Sequence, residues 1–365
     1  MKFALNGNYQ RFLMDSVNLY KAYNSYNRRQ ISISHYPTHL IVETAGACNL
    51  SCRMCPVSLH KKESNAKGVM SFELFKNLID EVHGYVSTIT LYHGGEALLN
   101  SRLEEMVAYA KSKGMSTVLH TNGILMNEKR AKSLIQNGLD MISFSIDGYT
   151  ADEYEKWRRG GKLELAVKGI KSFLSVKKDL KSKKPFTVLQ SIEVNSAEED
   201  TKRDFYEQFN GLPLDETSVI QLSSWGSNFY GGDTFKVRHK GKDGMYNPCA
   251  STWMTAAVLS DGRVVPCSVD FFGSYVYGSM ITQTFEEIWF GDKPKQLRRA
   301  MVDRNYTDVM SICQGCEVLT TGKQLGLTSV MRRVVLFHFE HYFGFTLERR
   351  MRKALRAIYP LAKFR

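Results

Sequence analysis

Two rhythms of apolar and polar positions alternate from residue 38 to residue 222. Short apolar runs at 40–42, 88–92, 117–120, 141–146, 187–194 and 218–222 have the length and β-branched or aromatic content of buried strands. Between and after them, at 71–80, 102–112, 128–136, 151–157, 164–177 and 200–209, apolar residues return every three or four positions, the spacing of one helix face. The first of these opens on Ser71, a capping residue. Strands alternating with helices imply a parallel sheet and an α/β fold, because a parallel neighbour needs a crossover connection. Right-handed crossovers curl such a sheet toward an open barrel with functional groups at the strands' C-terminal ends.

The flanks carry different patterns. Phe12, Leu13, Val17, Leu19, Tyr20 and Tyr23 recur at roughly helical spacing, so residues 1–37 read as a helical lead-in expected to cover an exposed barrel edge, with a partner contact as the alternative. A glycine-rich, irregular stretch at 226–244 reads as a linker. Beyond it, 258–267 reads as a hairpin turning at Asp261 and Gly262. Residues 331–340 and 347–359 look like basic amphipathic helices. The expected divisions are therefore 1–37, 38–235, 236–325 and 326–365.

Candidate chemistry begins directly behind the first strand. Cys48, Cys52 and Cys55 stand there in the spacing C-x3-C-x2-C. Thiolates are soft ligands that suit iron–sulfur clusters and zinc. A [4Fe–4S] cube has four irons, so three sulfurs leave one iron open to something that is not protein.

This motif behind a first strand resembles the radical S-adenosylmethionine (SAM) superfamily. The resemblance implies a partial (β/α)6 barrel, with Cys48, Cys52 and Cys55 holding a [4Fe–4S] cluster whose open iron chelates SAM. It also implies one-electron cleavage of SAM to a 5′-deoxyadenosyl radical that abstracts hydrogen from substrate, with the electron supplied by an external flavodoxin- or ferredoxin-like donor. Met54 stands where the family usually has an aromatic residue near the adenine; methionine can also pack on a flat ring. Gly94, Gly95 and Glu96 look like the motif that holds the SAM amine: glycines permit close approach, and a carboxylate accepts from an ammonium. Asn122, Ser145 and Asp147 occupy positions where related enzymes bind the methionyl group, ribose or substrate. Asn122-Gly123 and Asp147-Gly148 can equally be turns that cap the following helices. His93 and His120, also at strand ends, are either substrate contacts or satisfied structural histidines. Arg158 and Arg159 read as a solvated surface turn rather than an anion site.

A second set follows the linker. Cys249, Gly262 and Cys267 are spaced C-x12-G-x4-C, and Cys313 and Cys316 form a C-x2-C pair. The pattern resembles the SPASM/twitch extension of radical SAM enzymes, a small α+β domain. With four cysteines it implies one auxiliary [4Fe–4S] cluster, hence two clusters per chain; a zinc site with four thiolates is the alternative. The two sets together use all seven cysteines.

A saturated second cluster suggests an electron acceptor. The expected reaction is therefore oxidation of a hydroxylated carbon on a sugar-like or cyclitol small molecule, the logic of twitch-type cyclitol dehydrogenases. Maturation of a peptide or a sulfatase-type target is the runner-up, although no dedicated leader-binding domain is apparent in the short N-terminus. Sugar epimerisation would lack a free cysteine as hydrogen donor, and dehydration is a further alternative. The reading of another class is a zinc-stapled basic binding protein without catalysis.

Composition adds bounds. At 365 residues the chain can bury a large core. It has no secretory pattern at its start and no apolar run long enough to span a membrane. An odd cysteine count with C-x2-C clustering argues for metal in a reducing cytoplasm rather than disulfides. The net charge is +12, and from residue 329 onward nine Lys/Arg stand against two Glu, a net of +7. No nucleic-acid module accompanies that charge, so no nucleic-acid partner is expected. The basic tail either packs on the barrel or touches the inner face of a membrane.

Overall fold

The computed structural model describes residues 9–62, 68–193, 198–222, 225, 246–314, 316–319, 331, 335, 336 and 340–342. The expected linker at 226–244 and the second basic helix at 347–359 lie outside them, as does most of the first.

All six expected strands form: β1 His39–Val42, β2 Thr88–Thr90, β3 Ser116–Thr121, β4 Met141–Ser145, β5 Phe186–Glu193 and β6 Glu216–Gln221. Each pairs parallel with the next in sequence, as right-handed crossovers through helices dictate. The helices are α1 Tyr9–Asn27, α2 Pro56–Leu59, α3 Phe72–Val82, α4 Leu103–Ser112, α5 Glu128–Gln136, α6 Ala151–Trp157, α7 Leu163–Asp179 and α8 Glu199–Glu207. Helix α3 begins where Ser71 Oγ accepts from Leu74 N, and Leu74, Phe75, Leu78, Ile79 and Val82 bury one face against the core. Strand β2 is shorter than its apolar run. Leu91 N still bonds Val118 O at 2.7 Å, and the chain then leaves the ladder for the glycine turn.

The sheet does not end at β1. Strand β7, Thr255–Val258, pairs parallel with β1, Leu40 opposite Ala256, and continues antiparallel into β8 (Arg263–Val265) and β9 (Gly278–Ser279). The spatial order is β6-β5-β4-β3-β2-β1-β7-β8-β9. The hairpin expected at Asp261-Gly262 is the β7–β8 connection, with Gly262 at φ +87°, where a Cβ would be strained. Short helices α9 (Ser251–Met254), α10 (Phe285–Trp289), α11 (Asp292–Asp303) and α12 (Tyr306–Val309) complete this part.

Among the described residues the lead-in therefore does not cover the edge at β1; β7 takes that place because it can satisfy the open hydrogen-bonding row of β1. Helix α1 lies instead across the strands' N-terminal ends. Arg11 Nη2 donates to Val86 O, two residues before β2. His341 and Tyr342 reach the same floor: Tyr342 Oη donates to Asp15 Oδ2 at 2.5 Å, and His341 Nδ1 is 2.7 Å from Ser116 Oγ at the start of β3. The opposite, C-terminal end of the strands is left for chemistry.

Candidate active site at the C-terminal ends of the strands

The loop from Glu43 to Cys55 leaves β1 and is held from three sides. Gly46 N bonds Gly68 O, and Met70 N bonds Thr44 O. Ser51 N donates to Arg159 O and Arg53 N to Trp157 O, both 2.8 Å, so the end of α6 carries the middle cysteine. Glu96 N donates to Ala47 O at 2.8 Å. Gly95 sits against this loop so closely that a Cβ there would lie 2.1 Å from Ala45 O and 2.4 Å from Ala47 O. Only glycine fits. Gly94 is confined similarly, its would-be Cβ 2.9 Å from Glu43 Oε1.

Glu96 is buried, and its carboxylate organises the neighbouring strand end. It accepts from Thr121 Oγ1 at 2.6 Å, Asn122 N at 2.9 Å and Leu98 N at 3.1 Å. Burial pushes its carboxyl up from the ordinary range, and the Asn122, Thr121 and Leu98 donors pull it back. Asn122 Nδ2 in turn donates to Asn49 Oδ1, inside the cysteine loop, at 2.8 Å. The motif residues, Asn122 and the cysteine loop thus form one network. Neither Asn122 nor Asp147 caps the following helix; Asn127 caps α5 and Thr150 caps α6. Ser145 closes β4 half-buried, opposite Gln190, and stands outside that network.

Arg158 corrects the sequence reading. Rather than a solvated turn, it is a buried guanidinium with Nη2 2.6 Å from Asp147 Oδ2. Asp147 Oδ1 also accepts from Ile192 N at 2.8 Å. The close return of α6 beneath the cysteine loop buries the pair, and a buried charge needs such a partner. Met54 packs with Trp157 and Leu222, flanked by Trp225, whose Nε1 donates to Met54 O at 3.2 Å.

Two residues of β2's end carry unusual groups. Tyr92 lies 5.0 Å, ring to ring, from His120. Burial raises its phenol far above the ordinary value, and nearby Cys55 adds to the effect. His93 is 3% exposed, and among the described residues neither ring nitrogen has a hydrogen-bond partner. Its Nδ1 is 3.6 Å from Glu43 Oε1, and its ring faces Phe271 at 5.0 Å. Sequence reading missed Glu43, Tyr92 and Phe271. The one available signal was Glu43 itself, a carboxylate at the end of an apolar strand.

None of the seven cysteines is in a disulfide. Burial pushes the Cys48 thiol up to about 12 and Cys52 to about 11, the latter offset by Arg158, and raises Cys55. Within the first set the thiols act on one another. In the second set, Cys249 precedes α9, Cys267 follows β8, and Cys313 and Cys316 bracket the turn after α12. Burial raises the Cys249, Cys267 and Cys313 thiols, and Cys267 and Cys313 both sense Cys249. Two sets of unbridged thiols, half-buried except for the buried Cys313 and Cys316, fit metal that displaces their protons. Among the described residues no three such side chains are grouped for a single ion.

The radical SAM superfamily model matches residues 42–188, and the model of the SPASM iron–sulfur cluster-binding domain matches 249–317. The chain belongs to the radical SAM superfamily. It is a radical SAM enzyme whose cofactors are [4Fe–4S] clusters and SAM, and the zinc-stapled binding protein is thereby set aside. Fe-coproporphyrin III synthase of Methanosarcina barkeri is 34% identical over 125 residues, 34% of this chain and 30% of that protein. The aligned stretch thus spans under a third of that relative. The AdoMet-dependent heme synthase of the same organism is 24% identical over 346 residues, 81% of this chain and 96% of the relative. Among solved folds, BtrN with AdoMet and 2-DOIA has TM-score 0.50 and 19% identity, covering 81% of this radical SAM enzyme and all of BtrN. Streptococcus suis SuiB has TM-score 0.58 and 12% identity, covering 77% and 71%. These likenesses are of fold. Among the described residues no helix is long and apolar enough to cross a membrane.

Proposed function

We propose that this enzyme oxidises a hydroxylated carbon of a sugar-like or cyclitol small molecule. The observation that carries the reading is the division of the seven thiols into three and four, with none left over. Cys48, Cys52 and Cys55 would hold the cluster that binds SAM; Cys249, Cys267, Cys313 and Cys316 would hold the other. When bound, the first group supplies one-electron cleavage of SAM and abstraction of one hydrogen atom. Oxidation of a carbinol to a ketone then requires loss of one further proton and one electron. Four thiolates on the second site leave no iron for substrate and make it suited to accept that electron. Glu96 and Asn122, tied to the cysteine loop, keep its geometry fixed, and the Arg158 guanidinium offsets negative charge beside Cys52. No free cysteine remains to return a hydrogen atom, which disfavours epimerisation.

Modification of a peptide is the second reading. It is supported by the fold likeness to SuiB, which has been solved with the precursor peptide SuiA.

The test incubates anaerobically reconstituted enzyme with cyclitols and sugars, and with candidate peptides. About eight iron and eight sulfide per chain and a hydroxylated substrate made two mass units lighter are expected. Unchanged mass with solvent hydrogen incorporated, or turnover of peptide alone, overturns the proposal.

A further inference from the structure

Helix α1 presents the wrong kind of outer face for a helix that lies on a barrel floor. Its inner face is filled by Asp15, Ala22, Ser25 and Tyr26, all buried. The outer face of such a helix is ordinarily polar. Here Leu13, Met14, Val17 and Tyr20 are 44%, 57%, 51% and 65% exposed. At about 100° per residue, Leu13, Val17 and Tyr20 fall on one line along the helix, with Met14 and Lys21 beside it. Next to this stripe, Leu19, Tyr20, Tyr23, Met331 and Val335 line an apolar groove of about 420 Å³. Arg332 and Arg333 follow Met331 in the chain, and residues 343–365 add seven Lys/Arg against the single Glu348.

We infer that α1 and the groove beside it form a docking surface for an anionic lipid bilayer. Four exposed apolar side chains on one helical face can enter the boundary between headgroups and acyl chains. The chain's net charge of +12 complements anionic headgroups, to which basic residues near a bilayer are attracted. A second copy of this chain fits less well, since pairing two chains of net charge +12 sets like charge against like. Nucleic acid would use the charge and leave the apolar stripe in water. The surface is at the floor of the barrel, so docking leaves the C-terminal ends of the strands free, and the inference does not depend on which substrate is oxidised.

Flotation of the full-length, cluster-reconstituted enzyme tests this, using vesicles of phosphatidylglycerol with phosphatidylcholine and vesicles of phosphatidylcholine alone. The enzyme is expected to float with the anionic vesicles only and to be released by salt. Replacing Leu13, Val17 and Tyr20 together by Ser is expected to lower the partition at least about tenfold, with iron content and thermal midpoint unchanged. Reversing Arg349 and Arg350 to Glu is expected to weaken it as well. Failure to float with anionic vesicles overturns the inference, as does equal binding to neutral ones. Unaltered flotation of the triple Ser variant also overturns it. A dimer in lipid-free solution that the same variant dissociates assigns the face to a second copy instead.

Discussion

The carboxylate of Glu43 accepts both the backbone N–H and the hydroxyl of Ser260, each at 3.0 Å, across 217 residues of chain. Glu43 opens the loop that carries the first cysteines, and Ser260 sits on the β7–β8 hairpin that leads to Cys267. One buried oxygen therefore fastens the barrel to the part that carries the second thiol set. Glu43→Ala strands the Ser260 N–H in the core, at a cost of roughly 3 kcal/mol. The thermal midpoint is expected to fall by several degrees. Glu43→Gln retains one acceptor oxygen for Ser260 and is expected to restore most of the loss. Equal midpoints for the Ala and Gln variants would show that the joint does not depend on this acceptor.

Gly95 gives a sharper test of the cysteine loop. A methyl group there meets two carbonyl oxygens, Ala45 and Ala47, at distances backbone atoms cannot share. In Gly95→Ala the loop must move away from Glu96, and the first thiol set loses its arrangement. Iron after reconstitution is expected to drop from about eight to about four per chain. Gly84→Ala, where nothing lies within 4 Å, is the control and is expected to keep both clusters. Full iron in Gly95→Ala would mean that the loop tolerates displacement.

The Asp147–Arg158 pair is buried, so its members are expected to behave non-additively. Arg158→Met leaves the Asp147 carboxylate without its cation and is expected to cost about 3–5 kcal/mol. Asp147→Asn together with Arg158→Met removes both charges and is expected to recover much of that in denaturant unfolding of the reconstituted enzyme. A double variant as unstable as the sum of the singles would indicate that the two groups do not interact.

Much of this arrangement was legible in the chain because it is local. Strand and helix periods placed the six parallel strands, and both thiol sets stood out by spacing. The β7–β8 turn was readable from Asp261-Gly262 for the same reason. What escaped depends on contacts distant in sequence. Nothing near Thr255 tells that β7 will complete the row left open by β1, and so nothing tells that α1 must go elsewhere. Arg158 looks like a surface residue beside two glycines until α6 is folded under the cysteine loop. His93 looked like a choice between substrate contact and a satisfied core residue, and its local sequence carries no sign that Glu43 and Phe271 will close around it.

His35 is expected to make the fold acid-sensitive. Its ring is 1% exposed, and burial lowers its pKa from 6.5 to about 4. Nδ1 lies 3.1 Å from Tyr36 O, which favours the charged form, but Arg298 and Lys21 oppose it. Trp289 Nε1 donates to the His35 carbonyl at 2.8 Å, holding the residue in place. Because the folded value lies below the unfolded one, the unfolded chain binds the proton first as pH falls. The stabilising contribution is thus complete above about pH 6.5 and is lost toward pH 4. Between about pH 7 and pH 5 the loss amounts to about 2 kcal/mol. Thermal midpoints measured anaerobically over that interval are expected to fall for the native enzyme and to fall less for His35→Gln, which has nothing to titrate. Parallel curves for the two proteins would place the acid sensitivity in another group.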